Sequence, residues 1–175
     1  SSKAASDVNS ANVANWSVRG FVYQNLIGRV EGVDDWALSS YNKALELEPT
    51  NPYYPTQSGM ALLTMASMAS EEKEREMAIS SAKEEFRKAL ELKSNYAPAR
   101  FQLALAFQME DNVEGAIAEL KEAKKVAPMD VGLAFQLGLV YYHQQDYPAA
   151  QQEFERAVTK KPNYTNALYF LALTY

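Results

Sequence analysis

Apolar residues in the second half of the chain recur at the three- and four-residue spacing of an amphipathic helix. Leu103, Ala104 and Phe107 form one such stripe, and the polar residues EDN follow it at 110–112. A second stripe begins after this break and runs to the lysines at 124–125, just before a proline. Lysines at that end suit the negative end of a helix dipole. The pattern predicts a pair of helices joined by a short polar turn.

Two polar breaks also predict where the second helix of a pair begins. Asp111 and Glu114 have the spacing of a capping box, in which the side chain of the first residue accepts a backbone N–H of the first helical turn. Asp146, followed by Pro148, indicates a second helix start of the same kind.

The helix-pair pattern repeats at a fixed interval. Ala123 and Ala157 are 34 positions apart, and so are Pro128 and Pro162. Further pairs at this interval are Ala104 and Gly138, Phe107 and Tyr141, Ala116 and Ala150, and Leu137 and Leu171. A fixed period of this length is typical of repeat proteins in which helix pairs stack side by side.

The order of small and large side chains resembles the tetratricopeptide repeat (TPR) family. One unit has small residues at Gly138, Ala150 and Ala157, a large residue at Phe154 and a closing Pro162. The likeness is strongest over 97–164 and extends to the second helices at 34–48 and about 72–93. It implies an all-α fold, an open right-handed α-solenoid (superhelix) of antiparallel helix pairs.

The upstream units depart from the regular spacing. Gly20 and Ala37 are 17 positions apart where the regular unit has 12, and Gly59 and Ala82 are 23 apart, so about five and eleven residues are inserted. About three extra turns shared between two helices would absorb the longer insertion. We expect one repeat domain divided into the tail of a preceding repeat (1–10), a divergent repeat with an insertion (11–49), an extended repeat with long helices (50–94), two regular repeats (95–128 and 129–162) and the first helix of a truncated repeat (163–175). On this division we expect the chain to be a fragment of a longer array.

Composition excludes several function classes. The 175 residues carry a net charge of −5, one histidine and no cysteine. Nucleic-acid binders show a basic face, so the acidic balance argues against such a partner. Thiolate metal sites and cysteine nucleophiles are absent, and His143 has no second ligand or catalytic partner at a suitable spacing. We expect no enzyme activity, no cofactor and no metal.

Membrane signals are also missing from the pattern. No apolar run approaches the roughly 18 residues of a membrane-spanning helix, and SSKAASDVNSAN at the N-terminus lacks the apolar core of a signal peptide. We expect no direct membrane insertion, and the compartment stays open.

The TPR resemblance implies a concave groove lined by the first helix of each pair. In the regular repeats it places ten residues there: Phe101, Leu105, Gln108, Met109, Phe135, Leu139, Tyr142, His143, Tyr169 and Leu173. Upstream it adds Ser17, Phe21, Gln24, Tyr53, Thr56, Met60 and Leu63. None of the ten positions in the regular repeats is Lys or Arg, which disfavours the carboxylate clamp by which some TPR proteins bind chaperone C-termini. The plain alternative is that the stripe packs as core against neighbouring helices.

We therefore expect a non-catalytic protein–protein interaction scaffold that binds an apolar peptide or helix in this groove. The alternative is a structural spacer or self-assembly module, with self-association through uncapped end helices. The stretch NWSVRGFVYQNLIG (15–28) resembles TPR tails of bacterial membrane proteins of surface-polysaccharide assembly, such as O-antigen-ligase-like proteins. That resemblance would make the chain part of a larger protein.

Overall fold

The computed structural model describes residues 10–175 and shows nine α-helices in that part of the chain. They are α1 Val13–Gln24, α2 Val33–Leu47, α3 Tyr53–Met68, α4 Glu72–Leu92, α5 Ala97–Met109, α6 Val113–Val126, α7 Val131–His143, α8 Tyr147–Lys160 and α9 Thr165–Ala172. No residue of 10–175 lies in a β-strand, which confirms the predicted all-α class.

The helices form consecutive antiparallel pairs: α1 with α2, α3 with α4, α5 with α6, and α7 with α8. The main contacts join each helix to its neighbours in sequence, and α3 also packs against α1 and α5. Contacts confined to near neighbours are typical of a solenoid rather than a closed bundle. The predicted solenoid of helix pairs is confirmed.

In three of the four hairpins, a glycine on the first helix packs against a large aromatic ring on the second helix. An added Cβ at Gly20, Gly59 or Gly138 would lie 2.6, 2.3 or 2.6 Å from a ring carbon of the second helix. The rings are those of Tyr41, Phe86 and Phe154, and each is fully buried. In the remaining hairpin, Ala104 and Leu120 are both fully buried at the corresponding positions. The spacing of small and large residues therefore fixes how closely the two helices approach.

Of the two predicted starts of second helices, that of α8 is where the sequence places it, and the cap of α6 lies one residue later. Asp146 caps α8, and its Oδ1 accepts the N–H of Ala149 at 3.2 Å. The capping box predicted at Asp111 is wrong. Asp111 lies in the left-handed region (φ 55°), and the Oδ1 of Asn112 accepts the N–H of Gly115 at 2.9 Å instead. Asn112 stands 34 positions before Asp146, so the repeat itself marks the correct cap.

The inserted residues lie at two adjacent places. Residues 25–32 connect α1 to α2, and α3 and α4 have 16 and 21 residues where α7 and α8 have 13 and 14. The expected tail of a preceding repeat at 1–10 lies almost wholly outside the described residues. The division into repeats at the expected boundaries stays a prediction.

Polar contacts hold neighbouring hairpins in place. Nη2 of Arg75, on the lengthened part of α4, donates to the carbonyl oxygen of Met109 at the end of α5, at 2.7 Å. Nζ of Lys124 on α6 lies 2.5 Å from Oε2 of Glu153 on α8, and the Glu153 side chain is buried. Breaking a pair of this kind on one side leaves a buried charge uncompensated, which is strongly destabilising.

Candidate protein-binding groove

The first helices α5, α7 and α9 lie beside one another. Nε2 of Gln136 on α7 donates to Oε1 of Gln108 on α5 at 3.2 Å. The ring of Phe170 on α9 lies 5.4 Å from that of Tyr142 on α7, centroid to centroid. Nine of the ten groove positions predicted from the sequence therefore fall on three adjacent helices, and the tenth, Leu173, directly follows α9.

These ten residues differ in exposure. Tyr169 is 62% exposed and Leu173 is 46% exposed, and His143 is exposed at the end of α7. The remaining seven are half-buried: Phe101, Leu105, Gln108, Met109, Phe135, Leu139 and Tyr142. None of the ten is fully buried, so each presents some surface, and the greatest apolar exposure is at α9.

On α5 the half-buried residues also serve the core. Leu105 and Met109 pack against the apolar cluster between α3, α4 and α5 that contains Phe86. Phe101 packs against the next cluster and lines a cleft of about 270 Å³ with Pro98 and Leu133. The core alternative therefore accounts for part of the buried area of these side chains.

Phe135 lies in an aromatic cluster rather than on an open surface. Its ring centroid is 5.8 Å from that of Phe154, 5.0 Å from Tyr164 and 5.9 Å from Phe170. Phe170 also stacks on Phe154 at 5.7 Å. Aromatic rings at these separations add to packing stability. Phe135 therefore joins α7 to α8 and α9.

Phe170 was missed by the sequence analysis. It contacts Phe135, Tyr142, Phe154 and Tyr169, with centroid distances from 5.4 to 5.9 Å. The residue 34 positions earlier is Gln136, a polar side chain, so aligning the repeats gives no sign of an aromatic here.

Two upstream groove positions are buried. Thr56 is in the interior, where its hydroxyl donates to the carbonyl oxygen of Pro52 at 2.8 Å. Leu63 belongs to the same apolar cluster as Ile79 and Leu103. The expectation that Thr56 and Leu63 line an open groove is wrong, because α3 is covered by helices on both sides. Phe21 on α1, by contrast, is exposed.

Comparisons with known proteins identify the repeat. The family model described as Tetratricopeptide repeat matches residues 101–165 and again 135–175. A thermophilic TPR protein of Thermus thermophilus has a similar structure, with a TM-score of 0.80 and 15% identity over 99% of this chain and 86% of that one. Residues 101–175 therefore carry tetratricopeptide repeats, and the structural likeness shows the same fold over the rest of the described chain.

Two further solved structures have a similar fold. MamA from Desulfovibrio magneticus aligns with a TM-score of 0.67 and 19% identity, covering 91% of this chain and 82% of that one. PilF from Pseudomonas aeruginosa aligns with a TM-score of 0.70 and 22% identity, covering 91% and 67%. At these identities the likeness concerns the fold alone. No curated protein matches the chain in sequence.

TPR proteins are generally non-catalytic modules that bind other proteins, and the predicted groove is mainly apolar in residue type. None of its ten positions carries a lysine, an arginine or a carboxylate. Across residues 10–175, no three His, Asp or Glu side chains are grouped so as to hold a metal ion. Over the same residues, every helix is too short or too polar to cross a membrane.

The clearest pKa shifts lie away from the groove, on α2 and α3. Burial raises the pKa of Tyr41, whose hydroxyl donates to Oε1 of Gln24 at 2.7 Å. Burial also raises the pKa of Tyr54 to about 12. A hydrogen bond from Asn51 lowers the pKa of Glu48. These groups lie in the first two hairpins, and none of them is hydrogen-bonded to the ten groove positions of the regular repeats.

Proposed function

We propose that this TPR chain is a non-catalytic scaffold that binds an apolar peptide or helix across α5, α7 and α9. The observation that carries the proposal is the exposure of Tyr169 and Leu173 beside a row of half-buried apolar side chains on the same three helices. Exposed apolar residues that adjoin one another mark interaction sites. The absence of lysine and arginine from the groove positions disfavours a carboxylate ligand.

The affinity for such a segment would depend on a few side chains, chiefly those of Tyr169 and Leu173. A rigid aromatic side chain loses little conformational entropy on binding, and residues of this type dominate most interfaces. A helical or extended segment would place apolar side chains beside Tyr169 and Leu173. The amides of Gln108 and Gln136 could bond to its polar groups, because they lie on the same helices.

The proposal is tested by selecting peptides that bind the chain from a random display library and measuring the affinity of the chain for them. We expect apolar sequences to be selected. Replacing Tyr169 and Leu173 together by alanine should weaken the binding of these peptides by about thirtyfold or more, since each of the two side chains contributes on the order of 1–2 kcal/mol. Phe135 is unsuitable as the first substitution, because its loss would disturb the aromatic cluster and with it the fold.

The matched control replaces Val126 and Met129 by alanine. These residues are 41% and 75% exposed and lie on α6 and in the turn after it, so the change removes exposed apolar surface outside the groove. The control should bind like the parent chain. Equal losses in both variants, or selection of peptides with acidic C-termini, would contradict the proposed groove.

A second function is self-assembly, whether of this chain or of a larger protein that contains it. Leu168, Tyr169 and Tyr175 are exposed on and just after α9 and could pack against a second copy. Sedimentation over a wide concentration range distinguishes the two functions. A monomer at every concentration disfavours assembly, whereas a dimer lost on replacing Leu168 by serine supports it.

A further inference from the structure

The two insertions meet and form a cleft of about 590 Å³. One wall is the connection between α1 and α2, from Ile27 to Asp34. The other is the lengthened hairpin, where the end of α3 contributes Met65 and Met68 and the start of α4 contributes Met77. A volume of this size lies within the usual range for ligand pockets. The regular repeats have neither insertion, so they have no counterpart to this cleft.

The cleft has an apolar floor and exposed methionines. Ile27 and Val33 are buried beneath it, while Met68 is 55% exposed and Met77 is 61% exposed. Methionine side chains are flexible and polarisable, so they adapt to different apolar partners. Exposed apolar surface of this kind favours an interaction site.

The charged side chains that line the cleft are all acidic. Glu31, Asp34 and Glu74 line it, and no lysine or arginine does. None of the three carboxylates forms an ion pair or hydrogen bond with another described residue. Asp34 and Glu74 lie in the first turns of α2 and α4, where they complement the helix dipole. Glu31 lies in the connecting loop, so the dipole does not account for it.

We propose that this methionine cleft binds an amphipathic segment of a partner protein that carries lysine or arginine beside its apolar face. The methionines would contact the apolar face, and the three carboxylates would pair with the cations. Charge complementarity decides the class of partner, because an acidic rim repels acidic peptides and anionic lipid surfaces. This site is separate from the groove of α5, α7 and α9.

The probe is a synthetic helical peptide of about four turns with leucines on one face and lysines on the other, and its binding is followed by fluorescence anisotropy. A peptide with glutamates in place of the lysines is the comparison. We expect the lysine peptide to bind the chain at least tenfold more tightly than the glutamate peptide. Equal binding of the two would overturn the electrostatic part of the proposal.

Two pairs of variants localise the binding. The double variant Glu31→Lys with Glu74→Lys should bind the lysine peptide at least tenfold more weakly than the parent chain. The matched pair Glu91→Lys with Glu114→Lys makes the same change in net charge at exposed positions outside the cleft, and Glu114, like Glu74, lies in the first turn of its helix. An equal loss in both pairs would mean non-specific attraction and would overturn the proposed site.

A third variant tests the exposed methionines. The double variant Met68→Gln with Met77→Gln keeps the side-chain length but adds polarity. It should lower the affinity for the lysine peptide by about tenfold. Met129→Gln, at a 75% exposed methionine outside the cleft, should have no effect. The Tyr169 and Leu173 alanine variant should bind the lysine peptide normally, so this test and that of the groove can fail independently. A dimer of the chain that dissociates on the cleft substitutions would overturn the assignment to a partner protein and identify a second copy as the occupant.

Discussion

The contact between Gly138 and Phe154 gives the sharpest test of how the hairpins are held together. Alanine at 138 would bring its Cβ within 2.6 Å of Cε1 and 2.7 Å of Cδ1 of a fully buried ring. Ordinary carbon contacts are about 3.5–4.0 Å, so the ring or the helix must move by about 1 Å. Overpacking of this kind costs about 1–3 kcal/mol.

Helix propensity opposes that cost, so a second glycine in the same helix is the proper reference. Alanine is favoured over glycine in a helix by about 1 kcal/mol. At Gly132, in the first turn of α7, an added Cβ meets only Oδ1 of Asp130, at 3.1 Å. This exposed carboxylate accepts the N–H groups of Gly132 and Leu133, and it needs to shift by only a few tenths of an ångström. The propensity gain largely cancels between the two substitutions. Gly138→Ala should therefore be less stable than Gly132→Ala by about 1–3 kcal/mol.

The assay is urea unfolding followed by far-ultraviolet circular dichroism. Both tryptophans, Trp16 and Trp36, lie in the first hairpin, so their fluorescence reports that end separately. A difference smaller than about 0.5 kcal/mol between the two alanine variants would refute the reasoning. Phe154→Leu should relieve the clash, so adding it to Gly138→Ala should cost about 1 kcal/mol less than the sum of the two single changes.

Two further predictions concern the first two hairpins. Gly28 and Gly32 both have left-handed backbones (φ +77° and +70°), so alanine at either should destabilise the chain by about 1–2 kcal/mol in urea unfolding. Only Gly28→Ala brings a Cβ within 2.2 Å of Sδ of Met68, so it should also weaken the lysine peptide, and an equal effect of Gly32→Ala would contradict the cleft geometry. Because the hydrogen bond from Asn51 lowers the pKa of Glu48 below its ordinary 4.5, the stability that it adds is present above pH 4.5 and is lost as pH falls through the lowered value. Asn51→Ala should raise the pKa of Glu48 in an NMR titration of the carboxyl carbon, and no change would exclude this hydrogen bond as the cause.

The helix pairs could be predicted because the signal is volume at fixed spacing. Gly138 facing Phe154 and Gly59 facing Phe86 require a small residue opposite a large one, and the sequence shows both members of each pair. The predicted fold class is confirmed, and the family model matches the repeats at 101–175.

The candidate sites could be predicted only in part. The TPR resemblance places Phe135 among the groove positions, but it does not reveal Phe170, which contacts that ring from the next repeat. Whether a partly covered aromatic serves the core or a ligand depends on neighbours that a single helix does not specify. The groove therefore stays a prediction.

The methionine cleft could not be predicted from the sequence. The spacing revealed both insertions, at Gly20–Ala37 and Gly59–Ala82, but not that they meet. Two segments separated along the chain form one site only when the hairpins stack, and the spacing within a single unit gives no information about that contact.

The pattern of contacts between near neighbours also affects how the molecule responds to load. The main helix contacts join neighbours in sequence, with only α3 reaching past them, so no major contact ties the first hairpin directly to the last. Small rotations at successive junctions add up along the array. The whole can therefore bend elastically, and two partners held at opposite ends could change their separation while each stays bound.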